Sequence, residues 1–174
     1  MIRRHTTPLL AASLALVLLG VLAACTPDPE LDPTGRCVGF QLKTAVRVHP
    51  SSTPTNPSWD ITFTNTNASA CVFGGVPTIR FLARGGNHTV GTAERADSDA
   101  IAVPLSKGDV AYAHLTLSTK VPAGCTPTTV GSLSIIAPHV AGGGYLVKAP
   151  AAVKGCAKSV VIAHVGRVTA RRAP

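Results

Sequence analysis

The sequence predicts an all-β fold, a sandwich of antiparallel strands, and three observations support this prediction. Short runs with an apolar residue at every second position follow one another from about residue 38 to residue 168. Gly, Pro, Asn, Asp and Ser separate these runs at intervals of roughly 8–15 residues, as turns do in sandwiches and barrels. No segment between residues 35 and 170 shows a sustained 3.6-residue period with helix caps.

The alternating runs define about eight strands. They cover residues 38–43, 59–64, 76–83, 101–105, 110–119, 133–137, 145–148 and 159–165. Pro104 lacks a backbone N–H and therefore places its strand at a sheet edge. Their number and spacing are typical of an immunoglobulin-like sandwich, in which each sheet buries one face. The expected core is Phe40, Trp59, Ile61, Phe63, Ile79, Phe81, Leu115, Leu117, Leu133, Ile135 and Ile162.

The first 25 residues have the pattern of a bacterial export signal. Arg3 and Arg4 precede an uncharged apolar run that ends at Ala24 and is shorter than the ~20 residues of a comfortable bilayer span. The end of this run together with the next residue, Leu22–Cys25 (Leu-Ala-Ala-Cys), resembles a lipobox, in which the cysteine thiol receives diacylglycerol. We expect a lipoprotein signal peptide over residues 1–24 and an acylated Cys25, with palmitate among its fatty acids, on the extracytoplasmic face of the cell membrane. An uncleaved anchor helix or ordinary secretory cleavage are the alternatives.

Three further segments follow the predicted signal. Residues 25–36 are rich in Pro and acidic side chains and are expected to form a flexible tether. Residues 37–168 are the predicted sandwich, and residues 169–174 form a basic tail. The 174-residue chain has 16 Lys+Arg against 8 Asp+Glu, and the leader contributes two of the arginines. We expect the cluster Arg167, Arg171 and Arg172 to be solvated, with attraction to anionic envelope polymers or lipid headgroups as the alternative.

Four cysteines remain after Cys25, and an even number in an exported protein predicts two disulfides. Three pairings are possible. We favour Cys37–Cys71 and Cys125–Cys156, because each pair then brackets one block of strands and the two blocks are similar in span. No two of these cysteines are close enough in sequence for the paired ligands of a zinc site or for a C-x-x-C redox motif.

One stretch of sequence is specific enough to resemble a known family. Phe63-Thr64-Asn65-Thr66 leads to Cys71, and a Gly and Pro77 follow; Cys125, the strand 133–137 and Cys156 come later. This order is similar to that of exported actinobacterial lipoproteins with the domain of unknown function 4232, over residues 37 to 168. The resemblance implies a β-sandwich and an envelope location, and it implies no catalytic residues. Independently of it, Asn65 is suited to hold a turn through its side chain.

The sequence contains no recognisable catalytic or cofactor motif. His49, His88 and His139 lie in predicted loops, whereas His114 and His164 lie in strands on the faces opposite the apolar side chains. A metal pair formed by the two strand histidines is possible, but solvent-facing side chains are the favoured interpretation. Glu94, Asp97 and Asp99 are predicted to share one loop, solvated rather than calcium-binding, since the spacing of a calcium loop is absent. We therefore assign no catalytic residue, metal or cofactor.

Three functional hypotheses follow. The favoured one is a non-catalytic, lipid-anchored binding module of the cell envelope, with a protein or glycan partner contacted by loops 49–58, 84–99 and 139–144. The alternatives are a structural spacer without ligand and, least favoured, an enzyme that acts on envelope polymers. Nucleic acid is excluded as a partner, because the basic residues are not interleaved with stacking aromatics.

Overall fold

A computed structural model describes residues 35–98, 101–120, 122–140, 142, 144–157 and 160–173. The predicted signal peptide, Cys25 and residues 26–34 of the tether lie outside them. Within the described ranges the chain forms eleven strands and one 3₁₀ turn, Gly39–Gln41. The strands are β1 Leu42–Val48, β2 Ser58–Asn65, β3 Cys71–Phe73, β4 Thr78–Ala83, β5 Thr89–Arg95, β6 Val103–Leu105, β7 Val110–Leu117, β8 Pro127–Ile136, β9 Gly144–Lys148, β10 Lys154–Cys156 and β11 Val161–Val165. In these same ranges no helix is long and apolar enough to cross a bilayer.

Nine of the strands form one curled sheet in the order β1-β2-β7-β11-β5-β4-β8-β10, with β9 also paired to β8. β3 and β6 form a separate two-stranded sheet, in which Pro104 pairs with Val72 at an edge. β1 contacts β9, so the large sheet closes around the core like a barrel. The predicted all-β sandwich is confirmed. One pairing differs from the antiparallel expectation, because β11 inserts between β7 and β5 and runs parallel to β5.

The predicted core side chains lie in the observed core with one exception, and other side chains such as Leu42, Val90 and Leu105 complete it. Ten of the eleven are buried, whereas Phe40 is 60 % exposed, so its assignment to the core was wrong. The cause is the 3₁₀ turn, whose period of three residues replaces the strand period of two. Gln41 therefore points inward instead, and its Oε1 accepts a hydrogen bond from the Val38 N–H at 2.9 Å.

Strand β5 was not predicted, and the assignment of residues 84–99 to a loop is wrong over Thr89–Arg95. This segment lacks large alternating apolar side chains. At its centre, Gly91 packs closely against β11 and leaves no room for a side chain. A Cβ added to Gly91 would lie 2.5 Å from Cδ1 of Ile162. Glu94 consequently lies in a strand and pairs in register with His164.

Both predicted disulfides are confirmed. Cys37–Cys71 joins the start of the domain to β3, and Cys125–Cys156 joins the segment before β8 to the end of β10. Chain-entropy arguments assign roughly 3–4 kcal/mol of stabilisation to loops of about this size.

The predicted role of Asn65 is also confirmed. Its buried side-chain amide donates hydrogen bonds to the carbonyls of Ser69 at 3.0 Å and Leu105 at 2.9 Å, and its Oδ1 accepts one from the Asn67 N–H at 2.9 Å. A single side chain therefore holds the turn after β2 and binds it to β6.

Tyr145 in β9 contributes to the closure of the sheet. Its hydroxyl donates a hydrogen bond to the Gly39 carbonyl at 2.9 Å, and its ring centroid lies 6.5 Å from that of Phe63. Burial raises the pKa of Tyr145 above the ordinary value of 10.0, since the phenolate would lose hydration.

We predict that Tyr145→Phe lowers the unfolding free energy by about 1 kcal/mol at neutral pH through loss of this hydrogen bond. Because the pKa of Tyr145 is higher in the folded state, its protonated hydroxyl stabilises the fold fully at pH values below the unfolded pKa of about 10. This contribution is lost as the pH rises through the folded pKa. Urea unfolding across this alkaline range should show a steeper decline for the wild type than for the variant. Tyr112→Phe is the control, and equal alkaline slopes for wild type and Tyr145→Phe would contradict the prediction.

Candidate functional site

The centre of the large sheet contains a buried carboxylate. Asp60 alternates with Trp59 and Ile61 in β2, and the strand period predicts a solvent-facing side chain, yet Asp60 is only 1 % exposed. In register it lies between Arg47 of β1 and His114 of β7. An ionised carboxylate at such a position requires compensation, because burial removes its hydration.

Three side chains surround this carboxylate. Arg172 Nε lies 2.9 Å from Asp60 Oδ2, an ion pair whose direction does not meet the geometry of a hydrogen bond. On the other side, Asp60 Oδ1 lies 3.5 Å from His114 Nδ1 and 3.8 Å from His49 Nε2. We refer to Asp60, His49, His114 and Arg172 as the Asp60 cluster.

His49 was placed in a loop by its sequence context, and it does follow β1, but its side chain is buried. Its ring packs edge-on against His114 with centroids 4.8 Å apart. Because Nδ1 accepts a hydrogen bond from the Ser51 N–H at 3.2 Å, Nε2 carries the ring proton and donates it to the Ala173 carbonyl at 3.1 Å.

The C-terminal segment packs beside the cluster. Arg167 and Arg171 are exposed, as expected for a solvated basic tail, whereas Arg172, 43 % exposed, also forms an ion pair with the buried Asp60. Thr169 and Tyr112 exchange two backbone hydrogen bonds of 2.8 and 2.9 Å, which extends the sheet beyond β11. The guanidinium of Arg172 lies over the Tyr112 ring, 5.6 Å from its centre, and contacts Asp60. Asp60 is therefore closed off from substrates by the chain's own end.

The second strand histidine has a different environment. His164 is exposed, as predicted, and its Nδ1 lies 3.0 Å from Glu94 Oε2. His164 and His114 line one groove of about 530 Å³, but Nδ1 of His114 faces Asp60 instead of Glu94. The groove thus brings together two histidines that have separate carboxylate partners, and the exposed pair contributes little to stability.

A mostly apolar cleft of about 230 Å³ lies where the chain enters the domain. Val72 and Ile101, at 39 % and 49 % exposure, present apolar surface there. Of the predicted contact loops, 139–144 contributes to this cleft, whereas 49–58 begins at the buried His49. The lining residues are Arg36, Val72, Phe73, Gly74, Ile101, Ala102, Pro138, His139 and Val140.

A family model described as a domain of unknown function (DUF4232) matches residues 37–170. The chain belongs to this family. Comparison with curated proteins gives no significant match, and comparison with solved structures gives none either. The membership confirms the resemblance to the domain family that was inferred from the sequence, and the match extends to Thr169 of the covering segment.

We predict that Arg172→Ala lowers the unfolding free energy by about 1–2 kcal/mol. This is less than the 3–5 kcal/mol of a fully buried pair, because the arginine itself is partly exposed. The measurement is urea unfolding of the full chain in the presence of EDTA. The matched control Arg171→Ala removes an exposed neighbouring arginine and should change stability by less than about 0.5 kcal/mol. Equal losses for the two variants would show that Asp60 does not depend on Arg172.

Proposed function

We propose that this protein is an exported, lipid-anchored cell-envelope protein whose β-domain is a non-catalytic binding module. The apolar cleft beside Arg36 is the observation that carries this proposal. Exposed aliphatic surface around a concavity is costly to leave in water, and binding sites commonly have this composition.

Anchoring is supported by the leader and by the chemistry of the domain. The lipobox-like segment ends at Cys25, and eleven residues lead from there to Arg36, a reach of at most about 40 Å when extended. The two disulfides fit a protein that folds outside the reducing cytosol. The cleft would then operate close to the membrane surface.

Binding is favoured over catalysis by the arrangement of the polar groups. The most buried carboxylate, Asp60, is compensated by Arg172 and covered by the C-terminal segment, so a substrate has no access to it. Among the described residues, the lining of the apolar cleft includes Arg36 and His139 and no carboxylate. An enzyme acting on envelope polymers would need titratable groups that converge in one concave site. In the groove that His114 and His164 line, the Nδ1 atoms of the two histidines face different carboxylates, Asp60 and Glu94.

The lining of the cleft favours a protein partner over a glycan. Phe73 is 2 % exposed and offers no free aromatic face on which a sugar could stack. Aliphatic side chains of a partner segment would fill the space next to Ile101 and Val72, and an acidic group beside them could pair with Arg36. We therefore propose an envelope protein with an apolar, acidic contact segment.

We predict that Cys25→Ala moves the protein from the membrane fraction to the soluble extracytoplasmic fraction, because acyl chains provide the attachment. Fractionation and immunoblotting of the expressing bacterium measure this. Intact-mass analysis of the wild type should show the diacylglycerol adduct. Thr26→Ala is the matched control and should remain bound. Absence of the diacylglycerol adduct from the wild type would contradict lipid anchoring at this residue, whereas retention of Cys25→Ala with its leader still attached would show that the apolar leader holds the variant in the membrane.

We predict that a photo-crosslinking amino acid at position 101 captures one defined envelope protein in living cells. The same probe at Leu146, which is 68 % exposed on β9, should not capture it. Arg36→Glu should reduce the yield at position 101, because it reverses the charge at the cleft. Identical capture from positions 101 and 146, or none from either, would favour the spacer without ligand.

A further inference from the structure

The Asp60 cluster contains buried polar atoms whose hydrogen-bonding capacity the Asp60–Arg172 ion pair does not satisfy. Among the described residues, both carboxylate oxygens of Asp60 and Nδ1 of His114 are buried and make no hydrogen bond. A buried polar atom without a partner costs roughly 1–3 kcal/mol. Oδ2 has Arg172 beside it, whereas Oδ1 faces only the two histidine rings.

We propose that His49, Asp60 and His114 bind a divalent cation of the zinc type, through His49 Nε2, Asp60 Oδ1 and His114 Nδ1. Two imidazoles and one carboxylate are a common zinc ligand set, while Mg²⁺ and Ca²⁺ prefer sites made of oxygen alone. The sequence predicted no metal site, and the one histidine pair that it suggested, His114 with His164, includes neither His49 nor Asp60. This inference does not depend on the proposed lipid anchor or on the cleft.

The separations of the ligand atoms fit this assignment. Tetrahedral Zn²⁺ with bonds of about 2.0–2.1 Å holds its ligand atoms roughly 3.3–3.4 Å apart. Asp60 Oδ1 already lies 3.5 Å from the nitrogen of His114 and 3.8 Å from that of His49. All three ligand atoms lie within 4.8 Å of one another. Closing the widest separation requires a shift of the His49 ring, and His49 lies after the end of β1, outside the strands.

Binding requires one change of protonation. His49 Nε2 now carries the ring proton, so on metal binding the proton must leave Nε2 and Nδ1 must become the protonated nitrogen. Nδ1 then ceases to accept from the Ser51 N–H, which can turn to solvent because Ser51 is exposed. The Ala173 carbonyl, which lies 3.1 Å from Nε2 and is released from its hydrogen bond, is a candidate for the fourth ligand. Arg172 remains on Oδ2 and orients the carboxylate, as outer partners of metal ligands do.

The closed position of the cluster defines its role. Structural zinc sites are four-coordinate and have no open position for substrate. Here the ion would join β2, β7 and the C-terminal segment, and it would therefore stabilise the closure of that segment over the sheet.

The test is a titration of the full chain with Zn²⁺ alone, after purification in detergent and removal of metals with EDTA. Calorimetry should show one Zn²⁺ bound per chain, and the thermal midpoint should rise with Zn²⁺ but not with Mg²⁺. His114→Ala should weaken binding by at least about tenfold. His164→Ala, which removes the exposed histidine of the neighbouring strand, is the control and should bind as the wild type does.

Co²⁺ provides a second readout that does not depend on stability. Tetrahedral Co²⁺ bound by nitrogen and oxygen gives visible ligand-field bands. These bands should appear in the wild type and disappear in His49→Gln. This variant changes a residue in the segment after β1 and leaves the sequences of β2 and β7 intact. Absence of saturable Zn²⁺ binding would overturn the proposal. Binding that is lost in His164→Ala but retained in His114→Ala would also overturn it, because the exposed Glu94–His164 pair would then be the site.

Discussion

The architecture depends on the burial of strand β2 on both of its faces. Trp59, Ile61 and Phe63 fill the core on one side, and Asp60 on the other side cannot reach solvent. A carboxylate taken out of water costs several kcal/mol unless a charge accompanies it. The chain meets this requirement with its own end, since the segment after β11 pairs with Tyr112 and brings Arg172 onto Asp60.

This requirement separates two regions of the surface by their chemistry. The Asp60 cluster is polar and has a buried carboxylate at its centre, whereas the cleft near Arg36 is apolar and open, and the two have no lining residue in common. The disulfide partners Cys37 and Cys71 are the sequence neighbours of the cleft residues Arg36 and Val72. Arg36 and Val72 also form a β-bridge with each other. One wall of the cleft is therefore pre-organised, which lowers the entropic cost of binding.

The alternation of apolar residues predicted most strands and most of the large side chains at the centre of the core, because one buried face per strand leaves a period of two in the sequence. It failed where the local geometry departs from that period. Phe40 lies on a 3₁₀ turn, and β5 is built around Gly91, which has no side chain because Ile162 occupies the space. Neither departure is visible without the neighbouring element. A polar residue between two large apolar ones, as at Asp60, was the available signal for the site, but the same pattern describes an ordinary solvent-facing position.

The sequence by itself determined the all-β class, the turn at Asn65 and the family, and it favoured the disulfide pairs that form, because these depend on local period, composition and spacing. Only the tertiary structure decided that His49, Asp60, His114 and Arg172 lie together. Strand pairing is non-local, and a shift of one residue in the register of β7 would turn His114 to the other face of the sheet. The covering segment adds a contact from the far end of the chain, where composition alone indicated only a basic tail.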